Sequence, residues 1–432
     1  MRVYLTALGC KLNQSEVESW ARSLAGAGCE IVHNPADADL SIINTCTVTH
    51  VAARKSRQLV RRLARANPQA HIVVAGCYAE IHPEEAARLS GSCLVLGTRD
   101  KERLVQNVLD QLGLSCLSPA GQAVRSTRAT PSMHTRAFVK VQDGCDNACT
   151  YCIVRIARGK QRSRPMRAVL DEVSAREDEG YQEVVLTGVH IGSYGGERNE
   201  TLADLIREIL RCTCFPRLRL TSIEPWDLSP ELLGLWESPR LCRHLHLPLQ
   251  SGCDATLGRM NRRYTAAQFR EVVCRARAAI PDLAVTTDLI VGFPGETEAE
   301  FEDSVEFVAG IEFARTHIFP FSARPGTTAA SLPGQISPLI KKQRAERMAD
   351  IARRSSRAFR QHFLGQTLDV LWEQCKGDTW RGLTDNYIRV MATSLRDLHN
   401  QIIPTRLLEL TDQGVRGELV PQPKRLTAAG GV

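Results

Sequence analysis

Short apolar runs alternate with amphipathic stretches through the first hundred residues. Segments 3–8, 30–33, 40–44 and 71–75 read as strands, while 14–27 and 51–66 carry the period of helices packed along one face. Repeated strand-then-helix order predicts a parallel sheet covered by helices. A second series follows, with strand patterns at 136–141, 183–187, 218–222, 244–247, 285–291 and 317–321 and helical patterns that include 170–179, 202–210 and 266–279. Six such units predict a parallel barrel or most of one, with functional residues at the strand C-termini. A basic helical stretch over 337–362 leads into short strand patterns at 367–372, 379–383, 387–391, 401–405 and 417–420, which predict a small β-barrel. The chain is read as α/β with three domains: 1–128, a parallel α/β domain; 131–360, a partial barrel of six β/α units; and 362–432, the small β-barrel.

Composition changes this picture little. The 432 residues exceed what one core organises, in keeping with several domains. Apolar content of 43% and charged content of 24% are those of an ordinary folded chain, so disorder is not the expectation. No run approaches the roughly 20 apolar residues of a membrane helix. Met1-Arg2-Val3-Tyr4-Leu5 enters a strand pattern rather than a signal peptide, so a cytoplasmic protein with no membrane partner is expected. In a reducing compartment cysteines bind metal, do redox work or fill cores more often than they form disulfides, and a count of fifteen is odd.

Six of those cysteines form two sets of three. Cys145, Cys149 and Cys152 lie on one short loop just after the first barrel strand. Cys10, Cys46 and Cys77 each follow a predicted strand of the N-terminal sheet, at the edge where open α/β sheets gather ligands. Cys29 and Cys93 precede their strands and are excluded. Iron–sulfur clusters take four thiolates as a rule, so each three-thiolate set leaves one iron open. Zinc is the rival, but structural zinc sites are closed by four ligands, and no fourth cysteine or histidine lies close in sequence to the CxxxCxxC loop. Cys116, Cys212, Cys214, Cys242, Cys253, Cys274 and Cys375 are read as ordinary core or surface cysteines.

Cys145-x-x-x-Cys149-x-Tyr151-Cys152 resembles the signature of the radical S-adenosylmethionine superfamily. The resemblance narrows to the methylthiotransferases through Leu8-Gly9-Cys10-Lys11-Leu12-Asn13-Gln14, Asn44-Thr45-Cys46-Thr47-Val48-Thr49 and Ala75-Gly76-Cys77-Tyr78. It continues through Leu247-Pro248-Leu249-Gln250-Ser251-Gly252 and the run from Asp288 to Thr297. Gly9-Cys10-Lys11, Lys55-Ser56-Arg57-Gln58 and Ile156-Ala157-Arg158-Gly159 are most similar to the branch acting on threonylcarbamoyladenosine in tRNA. Asp146 stands where asparagine is common in the family and Arg155 where proline is common; neither departure removes a ligand.

The resemblance implies two [4Fe-4S] clusters, one on Cys145, Cys149 and Cys152 that binds and cleaves S-adenosyl-L-methionine, and an auxiliary one on Cys10, Cys46 and Cys77 that carries the sulfur to be inserted. It also implies tRNA as a partner, an electron donor such as flavodoxin or ferredoxin, and a TRAM-like, RNA-binding character for the C-terminal barrel. Tyr151 belongs to the cofactor-binding motif. Gly188, Glu224 and Gln250 follow later barrel strands and are candidate cofactor or substrate contacts, with a tight turn the plain alternative for Gly188 and a capping or surface carboxylate for Glu224.

Net charge is modest, 55 − 48 = +7, but its distribution is uneven. From Arg54 to Arg65 and again from Arg155 to Arg167 there are six basic residues and no acid, each run close after a cysteine, which points to a phosphate-facing surface. The alternatives are the same chemistry on isopentenyladenosine in tRNA or on a ribosomal-protein aspartate, and, in another class, a two-cluster electron-transfer protein.

Overall fold

The computed structural model describes residues 1–89, 93–111 and 135–420. The expected boundary between the first two domains, Cys116 and everything after residue 420 lie outside the described residues.

The N-terminal unit is a five-stranded parallel sheet in the order β2-β1-β3-β4-β5, with β1 Arg2–Ala7, β2 Glu30–Ile31, β3 Leu40–Thr45, β4 His71–Gly76 and β5 Cys93–Leu96. Two apolar clusters, one with Trp20, Leu24 and Val108 and one with Val60, Leu63 and Tyr78, pack on the sheet. The helix after β1, α1 (Lys11–Gly26), begins three residues earlier than its apolar period suggests, immediately beyond Cys10. α2 (His50–Ala66) is capped by Thr49, whose Oγ1 accepts from the Ala52 amide, and α3 (Cys77–Ile81) starts on a cysteine. Cys93 opens β5 rather than preceding it, and it still lies at the strand's N-terminal end.

The second unit is an open parallel barrel. β6 (Arg136–Lys140) is followed by a two-stranded ribbon, β7 (Gln142–Asp143) and β8 (Arg162–Ser163), and then by β9 (Glu183–Thr187), β10 (Arg217–Leu220), β11 (His244–His246), β12 (Ala284–Val291) and β13 (Arg315–Pro320). The pairings run β6-β9-β10 and β11-β12-β13, and the bridges Leu218↔Leu241 and Ser222↔His246 join the two halves. Strand alternation sorts the residues. Ala137, Val139, Val184, Leu186, Leu218, Leu220, Leu245, Val285 and Leu289 belong to the core between strands and helices. Their alternates, among them Glu183, Arg219, His244, His246, Thr286 and Asp288, face the lumen.

The helix Pro338–Gln361 leads to a closed barrel, β14-β15-β16-β18-β17, with β14 Thr367–Lys376, β15 Thr379–Thr384, β16 Arg389–Thr393, β17 Ile402–Thr411 and β18 Gly414–Leu419. It closes the N-terminal end of the larger barrel's strands. Arg217 Nη1 donates to Leu383 O at 2.9 Å, Arg219 Nη1 to Asp385 O at 2.8 Å, and Arg136 Nε meets Glu373 at 2.6 Å. No described helix is long and apolar enough to cross a membrane.

Candidate active site

The auxiliary set is built by strand order. Cys46 and Cys77 directly follow β3 and β4, and Cys10 lies three residues beyond β1; these three strands are neighbours, so their ends carry all three thiols at one sheet edge. Gly9 has φ +100° and lies so close to Cys46 that a Cβ there would stand 2.7 Å from the Cys46 Cβ and 2.8 Å from its Sγ. Gly76, also at φ +100°, presses against Asn44 and Thr45 in the same way, so neither turn admits another residue. Cys46 and Cys77 are buried and Cys10 is exposed. Burial, with smaller contributions from the neighbouring Cys77 and Cys10 thiols, pushes the Cys46 thiol up to about 11.

The second set sits on the loop between β7 and the helix Val154–Arg158. The Asn147 amide donates to Cys145 Sγ at 3.4 Å, and Arg262 Nη1 approaches Cys149 Sγ at 3.3 Å. His190 Nδ1 lies 4.0 Å from Cys145 Sγ, and its Nε2 lies 2.5 Å from Asp227. Burial lowers the His190 pKa, but the hydrogen bonds to Asp227 and Cys145 outweigh it and lift the ring to about 10. The Cys152 thiol is pushed up to about 12, by burial first and then by Cys149 and Cys145. Thus the three thiols of each set lie within electrostatic reach of one another.

Both sets offer soft sulfur donors, the donor class of iron–sulfur clusters. Among the described residues no group of three or more His, Cys, Asp or Glu is disposed to hold a single metal ion. A cluster takes thiols distributed around several irons rather than converging on one, and sulfur is the only donor type each set offers.

One buried network ties the two sets together. Arg158 Nη1 meets Glu16 at 3.1 Å and Asp143 at 2.8 Å, and Nη2 donates to Asn13 Oδ1 at 2.6 Å. Asn13 in turn donates to the carbonyls of Leu8 and Thr45 at 2.7 and 3.1 Å, while Lys101 Nζ and Lys140 Nζ reach Glu16 at 2.5 and 3.5 Å. Arg324 Nη2 donates to Thr47 Oγ1 at 2.6 Å, adding a second link from the barrel to the Cys46 loop.

The softer sequence candidates separate. Tyr151 packs with Met260, Phe293, Phe321 and Ala329 beside the CxxxCxxC loop, and burial raises its phenol well above the usual range. Glu224 is ion-paired with Arg262, the arginine beside Cys149, so its first contact is with a residue that holds the loop. A Cβ on Gly188 would fall 2.9 Å from both Gln142 O and Ile191 Cγ2, and this close approach by itself requires glycine there. Gln250 has φ +69°, and its backbone pairs with Asp288 and Ile290 across the mouth of the barrel. Sequence reading missed His190, Asp227 and Arg262. His190 stands three residues beyond β9, a strand-end position that could have marked it.

A cavity of about 830 Å³ lies between β6, β13, the helix Pro338–Gln361 and the C-terminal barrel, lined by Arg136, Arg315, Arg353, Arg381 and Tyr387 among others. None of the six cysteines lines it, so it is not the space between the two sets.

Comparison with known proteins agrees with this geometry. Residues 2–97 match the uncharacterized protein family UPF0004, and residues 139–308 match the radical SAM superfamily. The chain is 35% identical to the threonylcarbamoyladenosine tRNA methylthiotransferase MtaB of Bacillus subtilis, over 93% of this chain and 92% of that protein. It is 36% identical to the protein of that name from Thermotoga maritima, over 96% of each. It is also 35% identical to a tRNA-2-methylthio-N(6)-dimethylallyladenosine synthase of Syntrophotalea carbinolica, over 94% of this chain and 96% of that protein. Among solved structures, the radical S-adenosylmethionine methyltransferase TsrM of Kitasatospora setae shares the fold, with a TM-score of 0.58 at 16% identity over 76% of this chain and 75% of that one. With two cysteine-bearing domains matched and relatives aligned over nearly the whole length, the chain belongs to the radical S-adenosylmethionine methylthiotransferase family.

Proposed function

We propose that this protein converts N6-threonylcarbamoyladenosine in tRNA, beside the anticodon, to its 2-methylthio derivative. Membership of the radical SAM superfamily implies S-adenosylmethionine and a [4Fe-4S] cluster as cofactors. In this reading Cys145, Cys149 and Cys152 hold that cluster, and Cys10, Cys46 and Cys77 hold a second one. Bound there, the two groups supply one-electron chemistry and the sulfur for a carbon that acid–base catalysis does not activate.

The chain's own residues hold and shield. Arg262, fixed by Glu224, Tyr264 and the Pro248 carbonyl, sets a guanidinium against Cys149. Asp227 fixes the His190 ring, which keeps its other nitrogen towards Cys145. The Arg158–Glu16–Asn13 network keeps the two cysteine loops in one orientation. Exposed Val48, Val51 and Ile156 border this region, and the outer face of α2 presents Arg54, Lys55, Arg61, Arg62 and Arg65, a surface suited to an RNA backbone.

The observation that carries the reading is the pair of three-cysteine sets on adjoining domains, joined by one buried network. An electron carrier has no use for two open sets beside a barrel lumen. The test is anaerobic incubation of the reconstituted protein with S-adenosylmethionine, a reductant such as reduced flavodoxin or ferredoxin, and threonylcarbamoylated tRNA. The nucleoside gains a methylthio group if the reading holds, and stoichiometric zinc with no cleavage of S-adenosylmethionine would overturn it.

A further inference from the structure

The lumen floor gathers basic side chains whose direct carboxylate partners are unevenly supplied. Arg219 is paired with Glu183 at 2.6 and 3.1 Å, and Arg136 with Glu373 at 2.6 Å. His246 Nε2 lies 3.4 Å from Asp288, His246 and His317 stand with ring centres 6.1 Å apart, and His244 stacks on Tyr387 at 4.6 Å. Lys11 comes from outside the barrel, as the first residue of α1 and the neighbour of Cys10. Its Nζ stands 5.7 Å from the centre of the Tyr387 ring, within electrostatic reach of Arg136, Arg219, His244, His317 and Glu183. Among the described residues it has no carboxylate within ion-pair distance.

A part-buried ammonium beside two guanidiniums that are already ion-paired gains from an anion of its own. The local acids are engaged elsewhere, since Glu183, which acts on Lys11 only at a distance, is ion-paired with Arg219, and Asp288 lies against His246. Tyr387, at φ +69°, offers Lys11 its ring face, a cation–π contact rather than an ion pair. Lys11 is thus left, among the described residues, with a ring face and no directly paired carboxylate, one residue from the auxiliary set.

We propose that Lys11, assisted by His246 and His317, is the specificity residue that receives the free carboxylate of the threonylcarbamoyl group. This rests on the nucleoside substrate proposed above. The carbamoyl substituent is carried on the same six-membered ring as C2, separated from it by one ring nitrogen, so a base whose C2 is presented between the cysteine sets brings its substituent in with it. A dimethylallyl substituent carries no charge and would leave Lys11 unpaired, so the same contact rejects it.

The experiment measures binding, without turnover. Fluorescent anticodon stem-loop RNAs carrying adenosine, threonylcarbamoyladenosine, or its threonine carboxamide are titrated with the anaerobic, unreduced holoenzyme. Wild-type protein is expected to bind the acid about tenfold more tightly than the amide, the scale of a charge-assisted hydrogen bond. The ratio should fall towards one in Lys11→Met and Lys11→Gln and survive in Lys11→Arg. Equal wild-type affinity for acid and amide overturns the inference without recourse to any variant, and so does an unchanged ratio in both neutral variants. If unmodified adenosine RNA binds as tightly as the acid, the nucleoside assignment itself fails, which is a distinct result.

Discussion

Arg158, six residues beyond Cys152, donates a 2.6 Å hydrogen bond to Asn13, three residues beyond Cys10, so one guanidinium spans the two domains that carry the cysteine sets. The same side chain meets Glu16 and Asp143 in a site closed to solvent. Replacing it with leucine leaves two buried carboxylates short of a partner, although Lys101 and Lys140 remain. We expect Arg158→Leu to lower stability by about 3 kcal/mol in denaturant titration. It should also lower the iron retained by the N-terminal set, and full iron content with unchanged stability would show that the network supports neither the fold nor that set.

The cysteine sets have separable tasks. Cys145→Ala should abolish reductive cleavage of S-adenosylmethionine, whereas Cys46→Ala should keep cleavage and lose sulfur insertion. Each variant should reconstitute to about four irons where the wild type takes about eight, on the assumption of one cubane per set. If Cys46→Ala lost cleavage while remaining folded, independent sets would be contradicted.

Glu183 and Arg219 are wholly buried, and Arg219 also donates to the carbonyls of Asp385 and Thr384 in the C-terminal barrel. Burial pushes the Glu183 carboxyl up, and Arg219, Arg136 and Arg217 outweigh it and hold the group at about 2. With its folded value below the unfolded one, its contribution is complete above pH ~4.5 and is lost as pH falls towards 2, to a total of about 3 kcal/mol. Glu183→Gln should flatten that part of an acid-unfolding profile. An identical profile would show that the pair contributes nothing there.

The outer face of α2 tests the RNA surface. Reversing Arg61, Arg62 and Arg65 to glutamate should weaken tRNA binding. The slope of log affinity against log salt should also become shallower, by about one for each phosphate no longer neutralised. An unchanged slope would place the RNA elsewhere.

Much of the site was legible because it depends on topology. Cys10, Cys46 and Cys77 each follow an apolar strand, and parallel strands put such positions on one edge whatever their spacing in sequence. The lumen was not legible. Arg217-Leu218-Arg219-Leu220 and His244-Leu245-His246 alternate as half-exposed strands do, and alternation cannot tell a solvent face from a barrel interior closed by another domain. Arg262 was missed for a related reason, since it follows the helix Asp254–Arg259 and reaches Cys149 across more than a hundred residues. The early start of α1 also escaped, because Lys11 and Asn13 are polar and extend no apolar stripe, yet those residues bring the N-terminal domain to the barrel.

Methylthiolation of threonylcarbamoyladenosine is read out by mass spectrometry of tRNA nucleosides from a strain lacking this protein, with and without its restoration. The 2-methylthio nucleoside should be absent in the deletion, with threonylcarbamoyladenosine accumulating, and should return with the restored protein. An unchanged ratio of the two nucleosides would contradict it.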